Sequence, residues 1–208
     1  MKVNLVFPRV KKWGGVLEMQ YRRQSDYHIS DYNVFRYPLG FSVRPWLLYS
    51  PGGRWTILLS PGGYFQTEDI PETNGTRIQR ELRISPGVQY TVKAGKFRFK
   101  NRFLYEARFL NPGSSGAVFQ SRLRAQQEVV SQLSPASVHT HFGLQLAHEI
   151  FVKKQGSCSA FDQDRLSAIV QWTKHKSEFG FGYQWSIQQH SVKAIRRQQV
   201  IFAIGIQI

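Results

Sequence analysis

From Ile78 to Val92 the chain alternates with a period of two. Even positions are Ile78, Arg80, Leu82, Ile84, Pro86, Val88, Tyr90 and Val92; odd ones are Gln79, Glu81, Arg83, Ser85, Gly87, Gln89 and Thr91. Apart from Arg80, one face is apolar and the other is polar or small, the signature of a strand with one face in water and the other out of it. The phase survives Pro86, which predicts a single long strand. The next segment repeats the pattern with opposite parity. Phe97, Phe99, Phe103, Tyr105, Ala107 and Phe109 form one face, and Arg98, Lys100, Arg102, Glu106 and Arg108 the other. Lys93-Ala94-Gly95-Lys96 lies between them and predicts a tight glycine turn, so the two segments form a hairpin.

Further alternating segments run over 15–27, 33–49, 54–66, 117–130, 137–152, 161–173, 178–189 and 198–208. In 33–49 the apolar face is Phe35, Tyr37, Leu39, Phe41, Val43, Pro45, Leu47 and Tyr49. In 54–66 it is Trp55, Ile57, Leu59 and Phe65, with Leu58 and Tyr64 blurring the inner face. Soluble strands average about 5–6 residues. These are far longer, and a tilted strand crossing a bilayer needs about 9–11. The prediction is an all-β fold: a closed antiparallel up-and-down transmembrane barrel of about ten strands over residues 15–208. The connections Ser50–Gly53, Lys93–Lys96, 131–136 and 174–177 are short. Those over Thr67–Thr76, 111–116, 153–160 and 190–197 are mostly longer. Short periplasmic turns and long outer loops are expected from that contrast. Residues 1–14, with Pro8 and Lys11-Lys12, are expected as a periplasmic extension or a lumen plug.

At 208 residues the chain suits one domain, and no apolar run approaches the roughly 18 residues of a membrane-spanning helix. The net charge of +15 ordinarily points to nucleic acid or an anionic membrane. Here the basic residues mostly alternate with apolar ones along strands rather than forming a patch. They therefore read as one wall of a polar lumen, and no nucleic-acid partner is expected. Cys158 is the single cysteine and has no metal-ligand spacing around it, so neither an intramolecular disulfide nor structural zinc is expected; no cofactor is expected either. Met1-Lys2 is followed by no apolar run or small-residue cleavage site. An outer-membrane location therefore implies a mature or re-started chain.

Two stretches carry a resemblance: Glu149-Ile150-Phe151, and Phe161-Asp162-Gln163-Asp164-Arg165-Leu166 after a loop. With Gly180-Phe181-Gly182-Tyr183-Gln184, Asn101-Arg102 and Glu106-Ala107-Arg108, the sequence resembles an uncharacterised outer-membrane β-barrel family of Gram-negative bacteria, a domain of unknown function. Its members show Glu-Leu-Phe and then Phe-Asp-Gln-Asn-Arg-Leu. Ile150 and Asp164 are mild departures. The resemblance implies a barrel and supplies no activity.

The inner faces carry the candidate chemistry. Glu81, Arg83, Arg102, Glu106, Arg108, Arg122, Arg124, Glu128, Glu149 and Arg165 are all expected to point into the lumen. About ten strands enclose a space that side chains largely fill. Buried charges must then pair, and arginine–carboxylate forks do so best. A packed ion-pair network is expected, with an anion-selective lining as the functional alternative. His139 and His141, at i and i+2 on one strand face, suggest a metal or acid–base pair. Glu149 is about 26 Å along the strand from His141 and no hydrolase motif accompanies the pair, so the two histidines read as structural. Trp13, Trp46, Trp55, Trp172 and Trp185 read as interfacial girdles. The expected role is structural or accessory, including as a subunit of a larger envelope complex, with lipid, lipopolysaccharide and envelope proteins as partners. A narrow anion channel and a lipid-modifying hydrolase are the alternatives.

Overall fold

The computed structural model describes residues 1–24, 37–69, 77–111, 116–134, 140–155, 158–190 and 193–208. Eleven strands form one closed barrel. They are β1 (Lys2–Val10), β2 (Trp13–Gln24), β3 (Tyr37–Gly52), β4 (Trp55–Asp69), β5 (Arg77–Ala94), β6 (Phe97–Leu110), β7 (Val118–Gln132), β8 (Thr140–Gln155), β9 (Cys158–Lys174), β10 (Ser177–His190) and β11 (Lys193–Gln207). Each strand from β2 onward pairs antiparallel with the next along the chain. The barrel expected from the alternation is therefore present, with one strand more than the ten counted.

The additional strand is β1. Lys2–Val10 was expected as an extension or plug, and it is wall instead. It pairs antiparallel with β2 from Lys2↔Gln20 to Val10↔Trp13 and parallel with β11 from Lys2↔Ala203 to Val6↔Gln207. The alternation Val3, Leu5, Phe7 against Lys2, Asn4, Val6 is too short and too weakly polar to stand out in the sequence. This is the wall's one parallel pair among the described residues, and it is brief. On the side of Ala203 toward Lys193, β11 has only β10 as a ladder partner among those residues.

Tight turns join strands at one rim. Gly95 sits at φ +57° between β5 and β6, as the glycine turn predicts, and Gly53 at φ +66° follows β3. Lys11 and His175 hold the same left-handed conformation without being glycine (φ 56° and 52°). The opposite rim is less uniform than expected. Only 156–157 and 191–192 separate β8 from β9 and β10 from β11, because the ladders extend well past the limits the alternation suggested. The long loops expected over 153–160 and 190–197 are thus mostly strand.

The barrel is inverted relative to a water-soluble domain. Phe103, Leu123, Val170 and Phe181 are half or more exposed outside, whereas Glu106, Ser60 and Ser85 have no exposure inside. Paired rings ring the tight-turn rim: Trp13 with Tyr49 at 4.7 Å, Trp55 with Tyr90 at 4.8 Å and Trp172 with Phe179 at 5.5 Å. Toward the other rim Phe109 meets Phe119 at 5.3 Å. Trp46 is not part of a girdle; it shares the parity of Arg44 and is buried inside. Phe65 also points inward, against expectation. A register shift between Ser60 and Gly63 adds one residue on β4 and reverses the face beyond it.

Candidate functional site

The lumen is crossed by a network centred on Glu106. Its carboxylate has zero exposure and faces Arg122 at 2.6 Å, Arg44 at 3.1 Å, Arg124 at 3.9 Å and Arg83 at 4.0 Å. Arg122 donates Nε and Nη2 to one oxygen of Glu106 and Nη1 to Asp162 at 2.9 Å. Arg44 donates to Glu106 and to Ser85 Oγ at 2.7 Å. The alternating pleat is what makes this possible. Glu106 and Arg122 are register partners, as are Arg83 and Arg108, so their side chains leave neighbouring strands on the same face.

Two smaller hubs flank it. Glu81 accepts a fork from Arg108 at 2.6 and 3.0 Å and another from Arg83. Glu149 receives Arg124 at 2.5 Å and lies 3.6 Å from Arg165. Aromatic rings fill the space between guanidinium planes. Phe151 is 4.6 Å from both Arg122 and Arg165 and 5.3 Å from Arg124. Phe65 stacks under Arg83 at 3.7 Å, and Trp46 under Arg44 at 4.2 Å. Such stacking suits arginine, whose weakly hydrated plane tolerates burial better than an ammonium.

Eight of the ten expected residues meet in this network: Glu81, Arg83, Glu106, Arg108, Arg122, Arg124, Glu149 and Arg165. The other two stand apart. Glu128 pairs with Lys100 at 2.5 Å, nearer the tight turns. Arg102 donates Nε and Nη2 to Gln89 Oε1 at 3.2 and 2.7 Å, with no carboxylate partner among the described residues. Arg44 and Asp162 were missed. The parity of Phe41, Val43 and Pro45 already put Arg44 on the inner face. Asp162 had no such signal, because β9 carries an extra residue between Phe161 and Gln163 where its register with β8 shifts.

His139 lies outside the described residues. His141 stands at the start of β8, and among the described residues no group of three or more His, Cys, Asp or Glu is placed to hold a metal ion. A different histidine has a carboxylate partner. His148 Nε2 is 2.7 Å from Asp164 on the outer wall, beside the apolar Leu166 and Leu146.

Below the network, toward the tight turns, the lumen opens into a cavity of about 370 Å³ to which all eleven strands contribute. Neither a curated protein nor a solved structure matches the chain. A family profile described as protein of unknown function, DUF2490, matches residues 1–197, and the chain belongs to that family.

Proposed function

We propose that this chain is an outer-membrane β-barrel whose lumen is sealed, with a structural or accessory role in the cell envelope. The supporting observation is Glu106. A carboxylate with no exposure, held by arginines from β3 and β7, spans the space through which a solute would pass. The apolar outer wall and ringed aromatic pairs suit contact with lipid on the outside. Outer-membrane lipid, lipopolysaccharide and neighbouring envelope proteins are then the natural partners of the outer wall and the loops.

Phe103→Arg tests the membrane part. Phe103 sits mid-strand on β6 and is 59% exposed. In a bilayer an arginine there costs about 2–4 kcal/mol, whereas on a water-facing surface it costs close to nothing. Urea unfolding of the protein refolded into vesicles reads the difference, and an unchanged midpoint would count against a lipid-facing wall.

A second reading, a narrow anion-preferring channel, is favoured by the lining of the cavity below the seal, which holds seven basic and four acidic residues. Planar-bilayer recording separates the two. The sealed barrel is expected to insert without resolvable conductance; steady anion-selective steps would replace the first reading with the second.

A further inference from the structure

We infer that the cavity on the tight-turn side of the seal is a dead-end binding site for a small oxyanion. Placing a ligand there rests on the sealed-lumen reading. Its volume of about 370 Å³ lies in the range of small-molecule sites.

The cations of the lining do not cancel. Lys2 pairs with Glu18 at 2.9 Å, Lys100 with Glu128 at 2.5 Å and Arg124 with Glu149 at 2.5 Å. Arg44 is committed to Glu106. Arg9, Arg98 and Arg102 remain, against a single acid, Glu178, which accepts from Gln171 at 3.3 Å. Among the described residues none of these three arginines has a carboxylate partner. They are graded along the axis. Arg9 and Arg98 are exposed beside the tight turns, and Arg102 lies half-buried about 13 Å further along β6 from Arg98. A basic mouth leading to a half-buried arginine focuses anions inward.

Arg102 has donors to spare. A guanidinium carries five N–H groups, and the two bonds to Gln89 leave three. An oxyanion in the cavity would accept charge-assisted hydrogen bonds from those spare donors.

Titration calorimetry on the barrel folded in detergent micelles tests this, with glucuronate, inorganic phosphate and glucose as probes. Saturable binding is expected for glucuronate and for phosphate, and none for glucose. Arg102→Gln is expected to weaken it about tenfold, the loss of a charged hydrogen-bond donor. Arg98→Gln, at an exposed position where folding is not at stake, is expected to weaken it severalfold. Lys176→Gln, in the β9–β10 turn, is expected to leave it unchanged. No saturable heat from any probe up to about 10 mM would overturn the site. So would glucuronate binding that Arg102→Gln and Arg98→Gln leave intact. Glucose binding as tightly as the two anions would overturn the charge requirement. Conductance reads the seal and calorimetry reads the site, so the failure of one is distinguishable from the failure of the other.

Discussion

Glu106→Gln is expected to lower the unfolding free energy by about 3–5 kcal/mol, the usual penalty for removing one partner of a buried ion pair. The amide keeps the shape and some hydrogen bonding but leaves Arg44 and Arg122 facing each other across a site with no exposure. Asp162 still compensates Arg122, while among the described residues Arg44 is left with no carboxylate within hydrogen-bond reach and keeps Ser85 Oγ. Glu128→Gln provides the comparison. Its partner Lys100 is a quarter exposed, so water can take over, and about 1 kcal/mol or less should be lost. Urea titrations of both variants in vesicles, followed by tryptophan fluorescence, measure the contrast. Equal losses would mean that Glu106 is not the hub. The loss at Glu106 measures the cost of stranding arginines, not the net worth of the network. Replacing Arg44, Glu106 and Arg122 together by apolar residues of similar volume could restore much of the stability. The same triple replacement would leave the lumen blocked by bulk rather than by charge.

Gly182→Val is expected to prevent the wall from closing between β9 and β10. A Cβ at Gly182 would meet the Ala168 carbonyl oxygen at 2.1 Å and the Ile169 Cα at 2.7 Å. Both are backbone atoms of the neighbouring strand, so no side chain can swing away to make room. Overpacking in a core costs about 1–3 kcal/mol when side chains yield. Here the ladder itself must part, and the loss should exceed that range. Gly205→Ala is the matched control on β11, where the nearest atom, the Glu178 Cβ, is 3.4 Å away. Heat-modifiable electrophoretic mobility after refolding reads the outcome. Folded material is expected for the alanine variant and little or none for the valine variant. Normal folding of Gly182→Val would show that the β9–β10 spacing relaxes.

The legible parts of this fold were those where the pleat runs without interruption. From Arg77 to Leu110, through Pro86 and the Gly95 turn, parity alone put Glu81, Arg83, Glu106 and Arg108 inside and the phenylalanines outside. Parity fails wherever a strand gains a residue, because a shift of one position exchanges its two faces. Phe65 lies just beyond such a shift and was placed on the wrong side; Asp162 is itself the added residue of another and was overlooked. Trp46 failed for another reason. A tryptophan suggests an interface, yet inside this barrel its ring serves as the surface on which Arg44 lies. Which charges pair was not legible at all. Cross-strand register decides that, and single-residue offsets between strands leave no mark in the composition of either one.

The parallel contact between β1 and β11 gives this barrel a grain. Every other junction is laced along most of its length, whereas here the lacing stops at Lys2↔Ala203. Toward Lys193, one side of β11 meets no further ladder among the described residues, and in hydrocarbon a backbone group without a partner is costly. Stress on the wall would collect along that line rather than spread around the circumference. The cylinder would tear there first, like cloth along a half-finished seam, and the charged hub between β3 and β9 would be the last part to come apart.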